Sequence, residues 1–180
     1  MKKFNLEEVE VREEGSTLEP GQYLCEIIRV EDVPEKEYLK IGFDIIDGEF
    51  KNFMSLIHAR TGKWPNMGIL YKSYKQSALA YFKRFIVAVE KSNADYSFNF
   101  DEQTLLHKKF VGNFGIEEWL TDEGEVRESV KLDEARSVES WKAGKIKTPQ
   151  PKRLSEEIKE ETKSELSVEE IKKLEDSLPF

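Results

Sequence analysis

Between Tyr38 and Ile45 the apolar residues Leu39, Ile41, Phe43 and Ile45 fall at strict period two. A helix, turning about 100° per residue, would scatter these four around its axis, whereas a strand puts them all on one face. The chain is therefore committed to a sheet with a buried side, and Tyr38 and Lys40 belong to the opposite side. The flanking segments extend that sheet. Pro20-Gly21 is a turn signal, and from Gln22 to Val33 a β-rich stretch follows with Tyr23, Cys25 and Ile27 on one face. Pro34-Glu35-Lys36 turns the chain into the alternating run, and Asp47-Gly48 reads as a tight hairpin leading into a predicted third strand, Glu49 to Ile57. Three strands joined this way make a meander.

After a loop from Ala59 to Met67 the period changes. Ala78, Phe82, Phe85, Ile86 and Val89 lie about 3.6 residues apart, which predicts a helix between Tyr74 and Ser92 with an apolar stripe. Asp101 is placed to cap a short helix or turn reaching His107. Phe110 to Leu120 reads as a fourth strand, in which Gly112 and Gly115 mark a bulge or bend. Asp122-Glu123-Gly124 turns it into a fifth strand, Glu125 to Leu132, and residues 133–154 read as irregular. Three strands, a helix and a hairpin give a mainly β chain. That order is the topology of a five-stranded OB-type Greek-key barrel with one helix between strands three and four, and other small barrels or open sheets also fit it. The expected organisation is an acidic arm (1–19), an OB-like binding domain (20–135), a basic linker (136–154) and a flexible acidic tail (155–180).

Catalytic groupings are thin. The chain of 180 residues has two histidines, His58 and His107, and one cysteine, too few for an ordinary structural zinc site. Cys25 sits in an apolar run, as a buried structural thiol would, and a single cysteine fits a reducing cytoplasm. Neither Gly-rich phosphate-binding pattern occurs. Asp44 and Asp47 could share a magnesium ion, but the Asp47-Gly48 turn accounts for the second of them. We therefore expect no enzyme, no cofactor, no metal and no membrane span, since the chain contains no apolar run of 18 residues.

Charge is segregated beneath a net value of −8. Between Lys51 and Lys91 there are eight basic residues and one acid, a net of +7. Aromatic residues, among them Phe50, Phe53, Trp64, Tyr71, Tyr74 and Tyr81, interleave with these cations. A positive groove for phosphates and flat rings for bases are the two components of a single-strand binder. Phe82 and Phe85 belong to the helix stripe and are assigned to the core, whereas Trp64, between Lys63 and Pro65, is the ring expected to be available. The candidate nucleic-acid contacts are Tyr38, Lys40, Phe53, Arg60, Lys63, Trp64, Lys72, Tyr74 and Lys75. A protein–protein adaptor whose basic region meets an acidic protein is the alternative these residues leave open, and RNA in place of DNA is another.

From Ser155 onward nine acids face four lysines, and the sequence ends Leu178-Pro179-Phe180. An aromatic ring carrying an α-carboxylate suits a hydrophobic hole with a basic rim, so Glu175, Asp176, Leu178, Pro179 and Phe180 form a candidate docking peptide. This tip resembles the acidic Pro-Phe end of bacterial and phage single-stranded-DNA-binding proteins. The resemblance extends further, to a family of bacteriophage single-stranded-DNA-binding-like proteins from Gram-positive hosts. It rests on Glu19-Pro20-Gly21-Gln22-Tyr23, the tyrosine-led strand Tyr38 to Ile45, the loop Thr61-Gly62-Lys63-Trp64 and the terminal Leu-Pro-Phe. It implies an OB-type fold, sequence-tolerant binding of single-stranded DNA in phage replication or recombination within the bacterial cytoplasm, and recruitment of replication proteins by the tip, with homo-oligomers possible. Residues 125–154 depart from the family layout.

Overall fold

Alternation at period two yields the expected sheet. In the computed structural model, which describes residues 17–121 and 123–155, five strands form one open antiparallel sheet. They are β1 (Gly21–Val33), β2 (Tyr38–Ile45), β3 (Ile69–Ser73), β4 (Lys109–Leu120) and β5 (Val126–Arg136). The spatial order is β3-β2-β1-β4-β5, so β3 and β5 are the edges. Strand β1 is the centre: its first half pairs with β4 (Tyr23 with Gly112, Cys25 with Phe110) and its length with β2 (Cys25 with Ile45, Val33 with Tyr38). A bulge between Ile27 and Arg29 changes which residues face inward. Before it Cys25 and Ile27 are buried, and after it Val30 is, leaving Ile28 and Arg29 exposed.

Helices cover the inner side. Helix α1 is Phe53–Thr61, α2 is Leu79–Glu90 between β3 and β4, and the short α3 is Val138–Lys142. Leu39, Ile41, Phe43 and Ile45 are all buried, as their spacing requires, together with Phe85, Val89, Phe110 and Phe114. The rings of Phe43 and Phe110 meet edge to face at 5.4 Å, and Phe85 meets Phe110 at 6.3 Å. Full burial of each such side chain contributes about 1.5–3 kcal/mol. Among the described residues, no helix is long and apolar enough to cross a membrane.

Three expectations need correction. The stretch predicted as a third strand, Glu49 to Ile57, instead holds a turn and most of α1. Within α1, Phe53, Met54 and Ile57 lie at i, i+1 and i+4 and turn inward, and Phe50 joins them from the turn before the helix. Asp44 decides between the two patterns. Its buried carboxylate accepts hydrogen bonds from the backbone N–H of Met54 (2.9 Å) and Ser55 (3.0 Å), satisfying donors that a helix start leaves unpaired. Asp44 is thus a helix anchor, and Asp47, as its turn implied, accepts from Gly48 N–H. The actual third strand, β3, follows the loop, and α2 begins at Leu79, later than expected.

The third correction concerns the expected basic linker. After α3 the chain returns as a strap along β4: Lys152 N–H donates to Ile116 O and Glu118 N–H to Lys152 O, each at 2.9 Å. Asn113 and Gln22 side chains donate to the carbonyls of Lys147 and Ile146. Glu118, only 7% exposed, accepts from Arg153 Nη1 and from Leu154 N–H. Pro149 lies over Gly115, where a Cβ would come within 2.9 Å of the proline ring. The acidic arm through Ser16, and Glu175, Asp176, Leu178, Pro179 and Phe180 of the docking peptide, lie outside the described residues.

Candidate nucleic-acid interface

The outer face of β1, β2 and β3 follows from register alone. Residues opposite one another on antiparallel strands share a side. Lys40 lies between Glu31 on β1 and Tyr71 on β3, and Gly42 lies between Arg29 and Ile69. Tyr38 meets Tyr71 edge to face, with ring centroids 5.5 Å apart. Tyr71 is 57% exposed, so the pair offers aromatic surface to solvent.

Helix α1 and its exit loop rise at the Gly42 end of this face. Gly62 closes α1 in a left-handed conformation (φ 72°), donating its N–H to His58 O. Thr61 Oγ1 donates to Ile57 O and accepts from Lys63 N–H, fixing the turn into Trp64. The Trp64 indole N–H donates to Gly68 O at 3.0 Å, and the position of a Cβ on Gly68 would lie 2.7 Å from that nitrogen. The indole is half-buried against the core and held in one orientation, with the exposed His58 ring 5.7 Å away. Trp64, His58, Gly42, Lys40, Arg29 and Ile69 surround a cleft of about 330 Å³.

Of the residues singled out from sequence, Tyr38, Lys40 and Trp64 come together here. Arg60 and Lys63 are exposed on the α1 exit that carries Trp64, and Lys75 is exposed just beyond β3, past the Tyr38 end of the face. Three others do not join them. Phe53 is 8% exposed and packs on Phe50 inside the core. Lys72 alternates with Tyr71, so it turns to the inner side, where its ammonium lies 5.6 Å from the Phe85 ring centroid. Burial pulls its pKa down from the usual lysine range, opposed by Glu134. Tyr74 is half-buried, donating its hydroxyl to Asp32 Oδ1 at 2.9 Å and packing against Phe82.

Sequence reasoning left out Arg29, His58 and Tyr71 as site residues. Tyr71 was legible as an aromatic, but its side of the sheet depended on a third strand placed elsewhere. Arg29 owes its outward direction to the β1 bulge. Cys25 is fully buried, and that burial pushes its thiol far up, which suits a structural residue rather than a nucleophile. Among the described residues no three of His, Cys, Asp or Glu are grouped to hold a metal ion. No family model matches this chain, and no curated protein matches it.

Proposed function

We propose that this protein binds single-stranded DNA without catalysing a reaction, and that the outer face of β1–β3 is the binding surface. One juxtaposition carries the reading: Lys40 sits directly across from the exposed Tyr71, itself against Tyr38, beside the cleft walled by Trp64. Cations and flat rings on one surface serve phosphates and unstacked bases together. The strand order, with α2 between β3 and β4, favours an OB-type barrel. So does the cleft of about 460 Å³ that β3 and β5 flank, lined by Ile69 on one side and Val130 and Leu132 on the other. The setting in phage replication or recombination, inside a bacterial cell, rests on the family resemblance. So does the role of Leu178-Pro179-Phe180 in recruiting replication proteins.

The deciding experiment titrates the protein with single- and double-stranded oligonucleotides of equal length at increasing salt. Single strands should bind more tightly, with log K falling by about 0.7 per phosphate neutralised for each unit of log salt. Removing Leu178-Pro179-Phe180 should leave that affinity intact. Absence of any binding at low salt would sink the proposal. An RNA oligomer of the same sequence shows whether a 2′-hydroxyl is preferred.

An adaptor role has one observation in its favour. Phe100 is 91% exposed at the end of a ring series running through Phe98 (5.8 Å) to Phe82 (6.2 Å), a surface suited to a protein contact. A saturable protein complex insensitive to added oligonucleotide would support that reading instead.

A further inference from the structure

The floor of the cleft beside Trp64 is a glycine, Gly42, that backbone conformation does not require. Gly42 lies mid-strand in β2 and is not among the residues with positive φ, so its conformation does not demand glycine. A Cβ placed there would meet Arg29 Cβ at 3.3 Å and Arg29 O at 4.0 Å, and nothing else within 4 Å. The 3.3 Å contact is tight, so Arg29 would have to give by a few tenths of an ångström, and on its other side Gly42 lines the cleft. Glycine weakens a strand interior and marks a bulge, a bend or a close approach to the backbone. Gly42 lies across from the β1 bulge, and its missing side chain also leaves room on the floor of the cleft.

The walls indicate what approaches. One is the Trp64 indole, fixed by its hydrogen bond to Gly68 O, so little side-chain freedom is lost when a flat group lies against it. Ile69 contributes apolar surface, and His58 stands near Trp64. The charged groups lining the cleft are Arg29 and Lys40, both of which only donate hydrogen bonds. Arg29 is held by Glu31 at 3.2 Å, but its side chain is 72% exposed, and such solvent-screened pairs hold weakly. Its guanidinium can therefore turn to a ligand at little cost. The volume, about 330 Å³, lies at the bottom of the roughly 300–1,000 Å³ span of small-ligand sites.

From this we infer that the cleft over Gly42 seats one unstacked nucleobase of the bound strand, flat against Trp64, with its carbonyl edge toward Arg29 and Lys40. Thymine and uracil present O4 and guanine O6 to these donors, whereas cytosine and adenine carry an amino group at the matching position, cytosine keeping O2 as its one carbonyl oxygen. The inference rests on the single-strand reading and refines it: Tyr38 and Tyr71 supply general stacking, while this cleft supplies a preference at one position. Duplex DNA cannot satisfy it, because a base stacked inside a helix has no free face to lay against Trp64.

The test compares oligo-dT with oligo-dC of equal length on the full-length protein and on Gly42→Val. The wild type should prefer oligo-dT by roughly tenfold, as one well-formed edge contact allows. Gly42→Val, whose side chain fills the floor, should bind oligo-dT no better than oligo-dC. Thermal melting checks that the variant folds. Independently, oligonucleotides carrying 5-iodouracil are photocrosslinked to the unmodified sequence and the product is mapped by mass spectrometry. Attachment at Trp64 or His58 supports the assignment, and it decides the matter if Gly42→Val fails to fold. Equal affinity for the two oligomers, or crosslinks confined to Tyr38 and Tyr71, overturns the base cleft while leaving single-strand binding intact. Failure to bind either oligomer at low salt removes the single-strand reading itself.

Discussion

The two halves of the sheet use their positive charge in opposite ways. On β4, β5 and the strap, cations meet carboxylates: Lys131 with Glu117, Arg136 with Glu134, Lys152 with Asp133, Arg153 with Glu118 and Arg127 with Glu125. Arg84 of α2 adds a second partner for Glu134. Around β1–β3 the pattern thins. Arg29 pairs with Glu31, while Lys40, Arg60, Lys63 and Lys75 form no ion pair among the described residues. The first group of cations is compensated within the fold, and Lys131, Lys152 and Arg153 thereby fasten one element to another; the field of the second group is left uncompensated. Counting charge along the sequence cannot distinguish them, since Arg84 and Lys72 belong to the same +7 stretch as Lys63. Pairing across the fold can.

The sharpest way to break this contrast is to remove a ring from the uncompensated side. Tyr71→Ala should weaken single-strand binding by about 1–3 kcal/mol, the usual value of one stacked base, with little change in melting temperature because the ring is mostly exposed. Wild-type affinity in this variant, measured by fluorescence anisotropy, would mean the β1–β3 face is not the binding surface.

On the compensated side the effect should appear in stability instead. Glu118→Ala leaves Leu154 N–H without its acceptor and Arg153 without its partner, which should release the strap at a cost of about 1–3 kcal/mol. Denaturant unfolding would show it, as would faster proteolysis within residues 145–154, while nucleic-acid affinity stays put. A loss of affinity equal to that of Tyr71→Ala would show that the strap belongs to the binding surface.

A paired comparison isolates charge from packing. Lys40→Ala should reduce the salt slope of binding by about 0.7, one phosphate's share, whereas Lys131→Ala, whose ammonium is engaged by Glu117, should leave the slope unchanged. Equal slopes in the two variants would erase the distinction between the halves.

What was legible in the sequence follows the range of the interactions involved. Strand β2 was plain because four core residues at period two determine it locally, and the short helix after Asp101 because the Asp101 carboxylate accepts from Gln103 N–H two residues away. The α2 stripe of Phe85, Ile86 and Val89 is equally local. Helix α1 was not legible. Phe53, Met54 and Ile57 were compatible with the helix, but the residue that settles it, Asp44, sits ten positions before Met54 and on another element. The strap escaped for the same reason: its anchor Glu118 reads as one more acid until the fold buries it beside Arg153. The candidate site divides likewise. Tyr38 and Lys40 could be placed on one face from β2 alone, but Tyr71, Lys72 and Arg29 needed a register and a bulge that only pairing reveals.

Lys72 gives the smallest effect and the finest test of the contrast, because it lies on β3 yet faces the interior. Its burial disfavours the charged form, so its folded pKa lies below the 10.5 of an exposed lysine. Below that lowered value the ammonium is charged in both states and the burial cost is felt in full. Between the lowered value and 10.5 the unfolded chain binds more protons, so stability rises with pH through that window. Lys72→Met keeps an apolar contact with Phe85 and removes the charge, while Glu134 retains Arg84 and Arg136. The variant should melt slightly higher than wild type at neutral pH, and the gain should shrink as pH rises from the lowered value to 10.5, levelling off above it. Its affinity for single strands and its salt slope should match the wild type, because the ammonium faces away from Lys40 and Tyr71. A slope reduced as much as in Lys40→Ala would place Lys72 among the phosphate contacts and return the whole central stretch to one undivided positive surface.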